Sequence, residues 1–258
     1  MAVSVGAIVA ACGTDQGVQA PGRIGLAEES EELPTAEVDD IVLMRTAQSL
    51  EYTALDVYAA AADTGALDDQ ASELVGRFVE DHTRHADAVG EVIDDLGGEQ
   101  FTCGNPFLAE RVVVPVLAAL EGTDDLVRDL LHISYAIEEL AGRSYQALVP
   151  SIADLPLRTA AMQIGGEEQR HAAAVALVLN PDEWFSPEIF GEPLSPDADG
   201  FPIRYAIPAT FGQLSGVPLV VGADDPDEGR FSTQLQTPAA NSLVYGCLLY
   251  TSPSPRDL

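Results

Sequence analysis

The sequence predicts a mainly α fold: an antiparallel four-helix bundle with a short extra helix, followed by an irregular, partly β appendage. Three observations predict it. Four long amphipathic segments joined by short connections fill residues 36–180, the pattern of helices that turn back on their neighbours. The first pair of segments is echoed in the second pair. Beyond Pro181, closely spaced prolines change the texture and exclude another long helix.

The first helix is expected from about Thr35, a cap-type residue, through Val38, Ile41, Val42, Leu50, Leu55 and Tyr58 to the break at Asp63-Thr64-Gly65. The second covers about Asp69 to Leu96 and stops at Gly97-Gly98. Asn105-Pro106 then opens a shorter helix over about 106–120, with proline at the favoured first position. Thr123-Asp124-Asp125 caps the third long helix, about 124–150, and the fourth runs from about Pro156 to Leu179 before Asn180-Pro181. In 181–246 the short apolar runs Ile203–Ile207, Pro218–Val221 and Arg230–Leu235 suggest a few strands on an appendage that carries no evident chemistry.

Composition narrows the partners. Forty-two acids oppose twelve basic residues, all of them arginine, for a net charge of −30. Such a surface excludes nucleic acid and anionic membranes as natural partners. An apolar fraction of 47% is that of a folded chain.

Both ends read as segments apart from the bundle. Ala7-Ile8-Val9-Ala10-Ala11-Cys12-Gly13 resembles a bacterial lipoprotein signal with its lipobox, which implies export and a lipid anchor at Cys12; residues 1–6 lack the usual Lys or Arg of such a signal. Residues 1–12 are thus expected to be a partial signal and 13–35 a flexible tether. The run Cys247-Leu248-Leu249-Tyr250-Thr251-Ser252-Pro253-Ser254-Pro255-Arg256-Asp257 resembles a translated sequencing-library adapter, so 247–258 are expected to be foreign and the native chain to continue differently after Gly246. Cys103 then stands alone in the body, either paired with a cysteine beyond that point or held as a buried thiol.

The internal repeat carries the chemistry. Arg84-His85-Ala86-Asp87-Ala88-Val89 in the second segment matches Arg170-His171-Ala172-Ala173-Ala174-Val175 in the fourth at five of six positions. Glu51 stands seven residues before Tyr58, and Glu138 seven before Tyr145. At about 100° per residue, positions seven apart share a helix face. Glu51 therefore lies in a stripe with Met44, Ala47 and Leu55, and Glu138 in one with Val127, Leu131 and Ala141. His82 precedes His85 by three and Glu168 precedes His171 by three, so each pair projects from one side. Carboxylates set into apolar faces are costly unless paired or bound to a cation. A divalent ion relieves that cost, and oxygen and imidazole donors suit iron, manganese or zinc.

At these residues the chain resembles the ferritin-like superfamily, the rubrerythrin and bacterioferritin kind of bundle. Its di-metal pattern takes one Glu from each of two helices and a Glu-x-x-His from each of the other two. The resemblance assigns Glu51 and Glu138 to the single glutamates, Glu168 and His171 to one Glu-x-x-His, and His85 to the histidine of the other. His82 stands where the second motif has glutamate. The implied ligand set is Glu51, His82, His85, Glu138, Glu168 and His171, holding one or two ions of iron or manganese, with oxygen or peroxide as co-reactants. His82 favours a single ion, an asymmetric pair or a different metal. A bundle that kept the fold and lost the chemistry, serving as an envelope structural or binding protein, is the alternative.

Neighbouring groups have lesser expected roles. Asp81, four residues before His85, is placed to orient it. Glu80, Glu139 and Glu167 are expected on more polar faces. Tyr58 and Tyr145 are expected to pack in the core, and His132 to be a surface or satisfied core histidine.

Overall fold

The computed structural model describes residues 38–179, 217–225, 227, 229–235 and 242–245. The expected signal with Cys12, the tether, the run Ile203–Ile207 and residues 247–258 lie outside the described residues.

Four long helices are present: α1 (Asp40–Asp63), α2 (Asp69–Asp95), α5 (Leu126–Leu148) and α6 (Leu155–Leu179). Between α2 and α5 runs a helical connection of α3 (Pro106–Leu108), a π-helical turn (Ala109–Val113) and α4 (Val114–Ala119), ending in a 3₁₀ turn over Leu120–Gly122. The single short helix expected over 106–120 is therefore interrupted. Pro115 has no N–H to donate and its ring crowds the turn before it, so the backbone widens and Val114 N–H bonds Ala109 O.

Aspartates start all four long helices. Asp39 accepts from Val42 N at 2.9 Å, Asp68 from Ala71 N at 2.8 Å, Asp125 from Arg128 N at 3.0 Å and Asp154 from Leu157 N at 3.0 Å. Each satisfies a donor that the first turn leaves without an intrahelical partner. The expected starts at Thr35, 124 and Pro156 are corrected accordingly, to Asp40, Leu126 and Leu155. Asp40 also accepts from Ala153 N and Asp154 N, at 2.7 and 3.1 Å, tying the start of α1 to the start of α6. At the far end of α2, Gly97 takes φ +77° and Gly98 N bonds Ile93 O, a left-handed close that glycine makes cheaply.

Helix α1 packs on α2 and α5 on α6, and α1 also meets α5 between the two hairpins. Gly165 makes the second hairpin tight, since a Cβ there would stand 2.9 Å from Tyr145 Cβ. Two apolar clusters form the core. One gathers Val57, Tyr58, Phe78, Ile133, Val175 and residues of the 106–120 connection; the other gathers Leu43, Met44, Val89, Ile93, Tyr145 and Leu148. Val127, expected in the inward stripe of α5, is 41% exposed in its first turn.

Two of the three expected strand runs form strands. β1 (Val217–Val221) pairs antiparallel with β2 (Phe231–Leu235), from Val217 opposite Leu235 to Val221 opposite Phe231. Val217, Leu219 and Val221 point inward and join the first apolar cluster beside α5. Asp129 of α5 accepts from Gly222 N at 2.7 Å, and Arg128 pairs with Asp224 at 2.9 Å, fastening the hairpin to the helix. Residues 242–245 lie along α1: Arg45 donates to Tyr245 O, Val244 N to Thr46 Oγ1, and Asn105 Nδ2 to Ser242 O. Cys103, just before Asn105, is disulfide-bonded, so it is not a free thiol. No described helix is long and apolar enough to cross a membrane.

Candidate metal centre

Glu51 comes from α1, His82 and His85 from α2, Glu138 from α5, and Glu168 and His171 from α6; the bundle brings all six together in its interior. The three glutamates and His82 are fully buried, and His85 and His171 are 4% and 6% exposed. One oxygen or nitrogen from each of Glu51, His82, His85 and Glu168 lies within 4.8 Å of the other three, and the same holds for His82, Glu138, Glu168 and His171. His82 and Glu168 belong to both groups.

The contacts follow the division. His82 Nδ1 is 2.6 Å from Glu51 Oε2, while its Nε2 is 3.1 Å from Glu138 Oε1 and 3.7 Å from Glu168 Oε2. His85 Nδ1 lies 2.7 Å from Glu168 Oε1 and 3.7 Å from Glu51 Oε2. His171 Nδ1 lies 3.3 Å from Glu138 Oε2 and 3.4 Å from Glu168 Oε2. Despite these short distances, neither oxygen of Glu168 nor Nδ1 of His85 is aligned for a hydrogen bond. Buried polar atoms are rarely left so. Converging donors of this kind, three carboxylates and three imidazoles, fit a divalent ion.

Electrostatics reinforce the point. The imidazoles beside Glu51, and His82 first, hold that carboxyl down at about 2 against the pull of burial. Glu138 is likewise held low by His82 and His171. Glu168 is pushed up, by burial and then by the charge of Glu51. Burial works to lower the imidazoles, yet Glu168 and Glu51 raise His85 to about 10, and Glu138 and Glu168 raise His171 to about 9. His82, beside Glu138 and Glu168, is raised well above the ordinary range. The cluster thus attracts positive charge strongly, whether it comes as protons or as a metal ion.

A surrounding layer fixes the six groups, and it differs from the expectation in three places. Asp81 bonds His171 Nε2 at 3.2 Å, not His85, because it crosses from α2 toward α6. Glu167, expected on a polar face, is the partner of His85, Oε2 to Nε2 at 3.1 Å. The two contacts are reciprocal, since each acid stands four residues before the histidine of its own helix and holds the histidine of the other. Arg77 and Arg84 pair with Asp81, and Arg170 pairs with Glu167 at 3.1 Å, keeping both acids ionised. Glu139 is also not on a polar face; it is buried against the equally buried Arg143, at 2.8 Å. Glu80 alone of the three is exposed, at 75%.

The tyrosines are reciprocal too. Tyr58 of α1 donates its hydroxyl to Glu138, and Tyr145 of α5 donates to Glu51 at 2.5 Å. They pack in the core as expected and additionally hold the site's carboxylates, each on the helix opposite rather than on its own. His132 is a core histidine, its Nδ1 3.4 Å from Val220 O.

No curated protein and no solved structure matches the chain. A family described as the ferritin-like domain matches residues 39–181, more than half of the 258, and this span contains the four long helices up to Leu179 and every side chain of the cluster. The chain belongs to the ferritin-like domain family.

Proposed function

We propose that this protein binds iron or manganese through Glu51, His82, His85, Glu138, Glu168 and His171, and that it does so outside the cytoplasm, anchored by lipid at Cys12. The observation that carries the metal reading is Glu168. A carboxylate buried to 0% exposure, with neither oxygen in a hydrogen bond, lies among imidazole nitrogens and two further glutamates. A bound cation relieves that penalty. When bound, iron or manganese would supply oxygen or peroxide chemistry: Fe(II) oxidation, peroxide reduction or iron sequestration. The chain's own residues bury the ion between two apolar clusters, keep bulk water out, and hold His85 and His171 in place from behind through Glu167 and Asp81. Export is supported by the lipobox-like run that ends at Cys12.

His82 favours a second reading. Its two nitrogens bond Glu51 and Glu138, so a protonated ring neutralises part of the cluster internally. A non-catalytic bundle in the cell envelope would use it that way.

Elemental analysis of the purified chain after anaerobic reconstitution with Fe(II) or Mn(II) tests the proposal, with a Glu168→Ala/His171→Ala variant beside it. One or two ions per chain, lost in the variant, is the expected result. No metal in either protein would sink the metal reading and leave the internally neutralised bundle.

A further inference from the structure

The two groups of converging donors share two side chains, and each of these turns a different atom to each group. Glu168 directs Oε1 to His85 and Oε2 to His171. His82, its counterpart across the repeat, directs Nδ1 to Glu51 and Nε2 to Glu138. We propose that the centre holds two ions and that His82 bridges them. Nδ1 serves the ion among Glu51, His85 and Glu168, and Nε2 the ion among Glu138, His171 and Glu168. This inference rests on the metal-binding reading above and specifies how a chain lacking the second Glu-x-x-His carries it out.

Packing holds the ring in the bridging attitude. It is wholly buried, its centroid 5.8 Å from those of Tyr58 and His171 and 6.1 Å from that of His85, edge-on to both imidazoles. Its nitrogens lie on different sides of the ring, so they reach both groups at once without a change of rotamer.

Charge leads to the same place. In the family pattern four carboxylates balance two dications, whereas this chain supplies three. An imidazole bound through both nitrogens has given up its N–H proton and carries one negative charge. The bridging ring therefore restores the missing charge inside the bundle, where an uncompensated charge is expensive. The protons leave to solvent as the ions enter, and no electron moves.

The test is anaerobic titration of the full, metal-free chain with Mn(II), read by bound ions per chain and by electron paramagnetic resonance. Wild type is expected to bind about two ions with a coupled spectrum. His82→Gln, which offers no second nitrogen, is expected to bind about one with the spectrum of an isolated ion. His82→Glu is expected to bind about two with stronger coupling, since a second carboxylate beside Glu168 lets the ions approach the ~3.5–4 Å of such pairs, closer than a ring bound through both nitrogens allows. Two ions in His82→Gln, or one in wild type, would overturn the bridge while leaving the metal site standing. Should His82→Gln fail to fold by circular dichroism, identical coupling in wild type and His82→Glu would overturn it instead. Absence of binding in wild type would strike the metal reading itself and the bridge with it.

Discussion

The two hairpins build the same half-site from nearly the same residues, and they differ most at one position. In α5–α6 that position is Glu168, whose oxygens have no hydrogen bond; in α1–α2 it is His82, whose nitrogens both have one. The rest of each half mirrors the other: a glutamate on the first helix, a tyrosine reaching across to the opposite glutamate, and an acid holding the opposite histidine. One half therefore asks for a cation, while the other carries a group able to act as one. Symmetry of backbone does not enforce symmetry of charge.

Removing that difference should have the largest effect. His82→Glu makes the halves alike but packs four carboxylates together in the metal-free chain. Its loss of stability is expected at ~3–5 kcal/mol, the usual cost of an uncompensated buried charge. Added Mn(II) should recover most of it. Chemical denaturation with and without the ion measures both numbers, and a metal-free variant as stable as wild type would show that His82 contributes no neutralisation.

Acidity probes the same contrast more gently. His85 and His171 hold protons up to about 10 and about 9, above the ordinary 6.5, so their contribution to stability is complete below 6.5 and lost as pH rises through 9–10. Glu51, held at about 2, contributes fully above the ordinary 4.5 and loses its share as pH falls toward 2. The metal-free protein should melt highest between pH 4.5 and 6.5 and less well as the solution becomes alkaline. Thermal melts across pH 4–10 check this. A melting point that climbs from pH 6.5 to 9 would mean that the imidazoles are neutral in the folded chain.

The outer acids should show the smallest effect, and an uneven one. Asp81 is nearly buried and Glu167 is 27% exposed in its side chain. Asp81→Asn is expected to weaken Mn(II) binding toward the upper end of the ~10–100-fold range for such partners, and Glu167→Gln toward the lower. Calorimetric titration of both variants separates them. Equal losses would mean that solvent does not soften the Glu167 contact.

The helices and the six central residues were legible because both announce themselves by period: apolar faces recur along each helix, and the chemical groups recur between hairpins. What escaped needed distances across the bundle. Glu167 is adjacent in sequence to a central residue, and rotation by one residue suggests a different face; only the approach of α6 to α2 brings its long side chain to His85. Asp81 stands four residues before His85 on its own helix, yet its partner is His171 on the helix opposite. Glu139 looked solvated because nothing in α5 alone reveals that Arg143, one turn on, is buried with it. The π turn at Ala109–Val113 escaped because the pattern of 106–120 runs on through Pro115, and a sequence does not say on which side of a proline the backbone will yield.

The segment 242–245 fixes an order of events. Its bonds to Arg45, Thr46 and Asn105 join residues 200, 198 and 137 positions apart. On a ribosome adding ~5–20 residues each second, α1 waits on the order of 10–40 s for the segment that covers it. Through that interval the polar groups of α1 have water in place of their final partners. A ribosome paused before 242–245 would hold a bundle whose helix α1 is still open along one side.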